Sequence, residues 1–326
     1  MTKKVIIDTD PAMGSKGGEP EDSFALLLAL NSPELEVVGI TTVQGNVPVE
    51  RGYSNAAYLL SALGKDIPLH AGPAHALTPE RSAQRQGLSK RENMEQIAPL
   101  LNPVDQEISA AEFIVNACLA SPGEIEIVTI GPLTNVALAL QMEPSLAGAI
   151  AGLTMMAGAA KIPGNITPAA EFNVWADPEA ADLVFRAGIP QKMIPLDVCH
   201  QTNMGMSELK RIGDNPHSFC QFVQEAVTPW LSIRSDYSGE ESFHLYDSLA
   251  MAAAFHDGVV GYEDAYVVVE TDGHYTAGET VCEFNESIIG RILNREPNTR
   301  VALEVDVELF NQIFSERVIE YLRQLK

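Results

Sequence analysis

The opening of the chain constrains its fold more than any other segment. Lys4 to Asp8 is a short β-branched run that ends in acids, and after a glycine-rich stretch Asp22 to Leu30 is apolar at nearly every position. The first has the length and composition of a buried strand, the second that of a buried helix. A strand without a polar face must be covered on both sides, which is the condition of a parallel sheet flanked by helices. The pattern then recurs. Further strands are predicted over Glu36–Val43, Ile67–His70, Glu124–Ile130, Leu153–Met156, Lys192–Leu196 and Ala265–Glu270. Helices are predicted over Glu50–Leu63, Ala110–Leu119, Thr134–Leu140 and Pro178–Ala187. Residues 205–257 are mostly helical with a polar break around Arg234–Glu241, and Val307–Leu325 closes the chain as a helix. Residues 76–105 are polar and weakly periodic, and are expected to form a long loop of the kind that carries function. The expected fold is therefore α/β, a mainly parallel sheet covered by helices on both faces. No repeat or linker interrupts it, so residues 1–326 are expected to form a single domain.

Composition narrows the partners. Basic residues number 21 and acidic ones 44, a formal charge of −23. Such a surface repels phosphate backbones and anionic lipid, so neither nucleic acid nor a membrane is an expected partner, while a small neutral ligand is compatible. No apolar run reaches membrane-spanning length, and the N-terminus is not a signal peptide. Cys118, Cys199, Cys220 and Cys282 are far apart and form no C-x-x-C pair. Free thiols in the cytoplasm are expected, and neither zinc nor a disulfide framework.

In a parallel sheet, ligands bind beyond the carboxyl ends of the strands. Asp8-Thr9-Asp10, Gln44-Gly45-Asn46, Ile130-Gly131-Pro132 and the stretch holding Gly158, Asn165, Glu171 and Asn173 all follow predicted strands, so they should share one rim. Asp8 and Asp10 are close enough to repel unless a cation or a proton lies between them. Asp22 opens a buried helix, where a carboxylate can also serve as a plain cap. Asp247 opens a second apolar helix and is either another cap or a further metal ligand. All-oxygen ligation suits calcium or magnesium rather than zinc.

These segments resemble the inosine–uridine-preferring nucleoside hydrolases. The resemblance is carried by Val5-Ile-Ile-Asp8-Thr-Asp10-Pro, Glu21-Asp22-Ser-Phe-Ala-Leu, Gly39-Ile-Thr-Thr-Val-Gln-Gly45-Asn46, Gly131-Pro-Leu-Thr-Asn135, Gly164-Asn165, Glu171-Phe-Asn173 with Asp177-Pro-Glu, Pro195-Leu-Asp-Val and Tyr246-Asp247-Ser-Leu-Ala. They occur in the family's order over nearly the whole chain. The resemblance implies hydrolysis of the N-glycosidic bond of a ribonucleoside to ribose and free base, with a calcium ion at the base of the pocket. It implies Asp10, Asp22, Asp247 and the Ile130 carbonyl as metal ligands, Asn46, Asn165, Glu171 and Asn173 as ribose contacts, and Asp8 as a supporting residue. The metal would orient the sugar and acidify the attacking water. A homodimer or homotetramer is a further family-level expectation.

Three departures bear on the chemistry. The acidic doublet that in the family follows closely on the second aspartate comes here after an insertion containing Gly14–Gly18. Its first member, expected to be the base, is Glu21 instead of aspartate, with Glu19 as the alternative. The residue before the last calcium aspartate, a histidine in many purine-cleaving members, is Tyr246, a weaker acid than imidazolium. His244, two positions earlier, would face elsewhere on a helix, and Gln84–Asn93 supplies no histidine. Trp175 and Trp230 are expected in the core, although an aromatic near the rim could stack on a base. His200 is expected to be a surface or packing residue, and Cys199 a small buried one. Two other readings fit the opening: a nucleoside- or ribose-binding protein that has lost turnover, and a magnesium-dependent phosphohydrolase with an Asp-x-Asp nucleophile. The later Glu-Phe-Asn and Tyr-Asp-Ser segments argue against the phosphohydrolase.

Overall fold

The computed structural model describes residues 2–78, 94–101, 107–238, 241–284 and 295–326, with Ile288 and Ile292. The Gln84–Asn93 stretch lies outside the described residues, as does much of the loop expected over 76–105.

One nine-stranded sheet runs through the chain. Its strands are β1 (Lys3–Thr9), β2 (Leu35–Thr42), β3 (Leu69–Ala71), β4 (Ile125–Thr129), β5 (Gly152–Met156), β6 (Gln191–Ile194), β9 (Val260–Val269), β10 (Thr280–Glu283) and β11 (Thr299–Val305). In space they lie in the order β10-β9-β11-β6-β5-β4-β1-β2-β3. Pairing is parallel from β11 through β6, β5, β4, β1 and β2 to β3. Strand β9 runs antiparallel to both β11 and β10. A separate antiparallel pair joins β7 (Asn203–Gly205) to β8 (Ser242–His244).

Alternation along the strands divides the core between the two faces. Val5 and Ile7 of β1 point into one apolar cluster and Ile6 into the other. The first cluster is covered by α1 (Glu21–Leu30), α8 (Met206–Gly213), α9 (Ser218–Ser238), α10 (Tyr246–Phe255), α11 (Val307–Phe314) and α12 (Glu320–Arg323). The second is covered by α3 (Ala110–Ala120), α4 (Thr134–Met142) and α6 (Pro178–Phe185). Helices α2 (Val49–Ala62) and α7 (Leu196–Cys199) also pack on the first cluster, and α5 (Phe172–Ala176) joins the second through Val174. Among the described residues no helix is long and apolar enough to cross a membrane.

From β1 the chain moves outward through β2 to β3, then returns to place β4 on the other side of β1. That reversal opens a crevice at the carboxyl end of β1, where Asp8, Thr9 and Asp10 lie. The insertion at Gly14–Gly18 is tied down on two sides. Ile97 and Ala98 donate main-chain hydrogen bonds to Gly14 O, Lys16 N donates to Glu95 O, and Gly17 N donates to Ala226 O of α9. Gln96 accepts from Ser15 Oγ and donates to Asn55 Oδ1.

Candidate active site

A cavity of about 200 Å³ opens at this crevice, lined by Glu19, Asn46, Ile130, Met156, Asn165, Ile166, Glu171, Phe172, Asn173, Trp230, Tyr246 and Asp247. Acids from the ends of three elements come together here. Asp247, in the first turn of α10, lines the cavity, while Asp22, in the first turn of α1, and Asp10, which follows β1, are fully buried beside it. Glu19 reaches the same place from the insertion. Carboxylate oxygens of Glu19, Asp22 and Asp247 lie within 4.8 Å of one another.

Each acid is held by specific partners. Asp22 Oδ1 accepts from Thr9 Oγ1 at 2.6 Å and Asp10 N at 2.9 Å, and its Oδ2 accepts from Asn46 Nδ2 at 3.3 Å. Asp22 therefore does not cap α1. Glu19 takes that part, accepting from Glu21 N at 3.1 Å. Asp10 accepts from Asn46 N and is packed between two glycines. A Cβ at Gly45 would come within 2.0 Å of Asp10 Oδ2, and one at Gly131 within 2.7 Å of Asp10 Oδ1. Gly45 and Gly131 follow β2 and β4, so their lack of a side chain lets those strand ends close on the carboxylate.

Burial raises the proton affinity of these groups. Asp22 is shifted upward by desolvation, and Asp247 well upward by desolvation and then by the charges of Asp22, Glu21, Glu19 and Asp10. None of the described ion pairs reaches Asp22 or Asp247. Several buried carboxylates without a neutralising side chain suit a divalent cation, and the donor set is entirely oxygen. The Ile130 carbonyl faces the same floor and accepts from Asn173 Nδ2 at 3.3 Å. Asp8 lies aside from the cavity. Its Oδ1 accepts from Thr41 Oγ1 at 2.6 Å and Asn135 Nδ2 at 2.7 Å, and burial pushes its carboxyl up to about 7.

The polar wall is built at α5. Glu171 is the N-cap of that short helix and accepts from Asn173 N at 2.8 Å, Val174 N at 3.2 Å and Gly158 N at 3.0 Å. Burial outweighs these bonds and pushes its carboxyl up to about 7. Asn173 Nδ2 also donates to Met156 O at 3.0 Å. Asn165 Oδ1 accepts from Phe172 N at 2.9 Å, while Gly164 lies so close to Ala170 that a Cβ would meet its carbonyl oxygen at 2.1 Å. Asn46, Asn165, Glu171 and Asn173 thus share the cavity, as their strand-end positions require.

Four expectations need correction. Glu21 does not line the cavity: it is fully buried, and its carboxylate is taken up by Asp247 N, Ser248 N and Ser248 Oγ of α10. The insertion instead brings Glu19 into the cavity, so the geometry does not fit Glu21 as a base. His244 is not on a helix. It ends β8, and its ring stands edge-on to Tyr246 at 5.6 Å and tilted against His200 at 4.9 Å, so both histidines adjoin the rim. Trp230 is only half-buried: it packs against the core but also lines the cavity, as an aromatic near the rim would. The break around Arg234–Glu241 comes later than expected, because α9 continues to Ser238 with Pro229 inside it. The proximity of His200 to Tyr246 has no local signal.

The family model described as inosine-uridine preferring nucleoside hydrolase matches residues 5–312. Probable uridine nucleosidase 2 of Arabidopsis thaliana is 30% identical over 328 residues, covering 98% of this chain and 98% of that protein. The pyrimidine-specific ribonucleoside hydrolase RihA of Salmonella typhi is 34% identical over 325 residues, covering 98% of this chain and 100% of that protein. Among solved structures, the purine-preferring ribonucleoside hydrolase from Gardnerella vaginalis matches with a TM-score of 0.84 at 28% identity, over 99% of this chain and 100% of that one.

Proposed function

Because the chain belongs to the inosine–uridine preferring nucleoside hydrolases, enzymes that cleave the N-glycosidic bond of ribonucleosides, we propose that it performs this hydrolysis with calcium held by Asp10, Asp22, Asp247 and the Ile130 carbonyl, and with Glu19 as the base. The observation that carries the reading is the meeting of the Glu19, Asp22 and Asp247 carboxylates on the cavity floor. Calcium takes about six to eight oxygens, so these protein donors leave positions for a water and ribose hydroxyls. Bound there, the ion would align the sugar and make that water more acidic.

The chain's own groups supply the rest. Glu19 accepts a proton as the water oxygen attacks the anomeric carbon. The bond to the base breaks, and its electron pair leaves on the base nitrogen. Asn46, Asn165, Glu171 and Asn173 hold the ribose hydroxyls and stabilise positive charge developing on the ring. Tyr246 donates a hydrogen bond to the departing base. Trp230 and Phe172 offer aromatic faces on which the base can stack.

The test is to incubate the protein with purine and pyrimidine ribonucleosides and a generic phosphate ester, with and without a calcium chelator. Free ribose that disappears on chelation is the expected result. Release of phosphate with magnesium, or tight nucleoside binding with no ribose formed, would overturn the reading.

A further inference from the structure

We infer that Glu21 is a positioning residue that holds Asp247 at a fixed separation from Asp22 and so sets how tightly the acidic cavity floor binds its cation. This rests on the calcium reading above. Helix α10 starts without a cap of its own, since Leu245 at its N-cap position makes no side-chain bond. The amides of a first helical turn need outside partners. Here a carboxylate from a residue more than two hundred positions earlier provides them. Glu21 Oε2 accepts from Asp247 N at 2.8 Å and Ser248 N at 3.2 Å, and Oε1 accepts from Ser248 Oγ at 3.2 Å.

The clamp joins two helix ends that each carry a cavity acid. Glu21 and Asp22 are consecutive on α1, and Asp247 and Ser248 are consecutive on α10. Asp22 and Asp247 are both buried and repel each other. Left untied, the helix ends would relieve that repulsion by separating. Calcium–oxygen distances span only about 2.3–2.6 Å, so a small separation is enough to weaken ligation. The insertion makes this arrangement possible, because it supplies the cavity acid from Glu19 and leaves Glu21 to face α10.

The test compares wild type, Glu21→Gln and Ser248→Ala by calcium calorimetry on substrate-free protein, with thermal unfolding in chelator as a check on folding. Glu21→Gln keeps the shape of the side chain but loses one acceptor, and is expected to bind calcium ~10–100-fold more weakly. Ser248→Ala removes one bond of three and is expected to show a smaller loss. Lost ribose release in Glu21→Gln should be relieved by raising calcium, which removal of a proton acceptor would not allow. A residue that only stabilises the fold would lower the unfolding temperature in chelator and leave calcium affinity unchanged. Unchanged affinity in both variants overturns the inference alone, as does a loss of turnover that calcium does not relieve. If Glu21→Gln does not fold, Ser248→Ala decides, and unchanged affinity there overturns the inference. A wild-type protein that binds no calcium overturns the metal reading, and this inference with it.

Discussion

Replacing Glu19 by glutamine removes the proton acceptor from the cavity while keeping the length of the side chain. Loss of a positioned general base costs about 10²–10⁴ in rate, so Glu19→Gln should lower kcat by that order with little change in KM, as measured by ribose release. Equal losses in kcat/KM and in nucleoside binding would contradict the assignment. Glu171 gives a pH signature of its own. Its carboxyl is raised from 4.5 to about 7 by burial, so between those values the folded protein binds the proton more tightly than the unfolded chain does. Stability contributed by this group is therefore present at low pH and declines as pH rises toward 7. The unfolding temperature of Glu171→Gln relative to wild type should accordingly rise from pH 5 to pH 8. A difference independent of pH would show that the carboxyl is not raised. Strand-end logic brought Asn46, Asn165, Glu171 and Asn173 to one cavity, and the helix openings supplied Asp247, which lines it, and Asp22, whose carboxylate meets that of Asp247. It could not tell Glu19 from Glu21, because the two differ in which way a side chain leaves a loop or a helix turn, and that depends on how the insertion docks.

The insertion is the element that distinguishes this site. It is pinned to residues 95–98 and to α9, and these contacts aim Glu19. Gly18 tests it, since a Cβ there would come within 2.4 Å of the Ala12 carbonyl oxygen, a main-chain atom that cannot turn aside. Misplacing a reacting group by an ångström can cost ~10²-fold. Gly18→Ala should thus reduce kcat by roughly that factor, while Gly148→Ala, whose added Cβ would meet nothing within 4 Å, should leave it unchanged. Equal kcat values in the two variants would show that the insertion does not position the acid. Other elements were legible in proportion to their apolar content. Strands β1, β4 and β5 are buried along nearly all their length and announce themselves. Strand β11 was missed although it lies inside the sheet between β9 and β6. Arg300 and Glu304 break its apolar pattern, and Arg300 is exposed with its guanidinium over the Tyr262 ring. Strand β8 falls within the stretch 205–257 expected to be mostly helical, because its flanks are helical, and this also misplaces His244.

On the scale of the whole molecule, the fold gathers carboxylates where the sheet reverses direction. Helices α1 and α10, distant in sequence, meet there with their N-termini toward the cavity. Burial of the carboxylates is unfavourable without a cation, and the overall charge of −23 adds to the repulsion. Ribose release is proposed to depend on one calcium ion held at this meeting point. Stripping the protein with a chelator and titrating calcium back, while following ribose release from a nucleoside, tests it. Activity should start near zero and recover along a single saturable curve at one ion per chain, and Asp10→Ala should not recover. Full activity in the stripped protein, or recovery by Asp10→Ala equal to that of wild type, would contradict the claim.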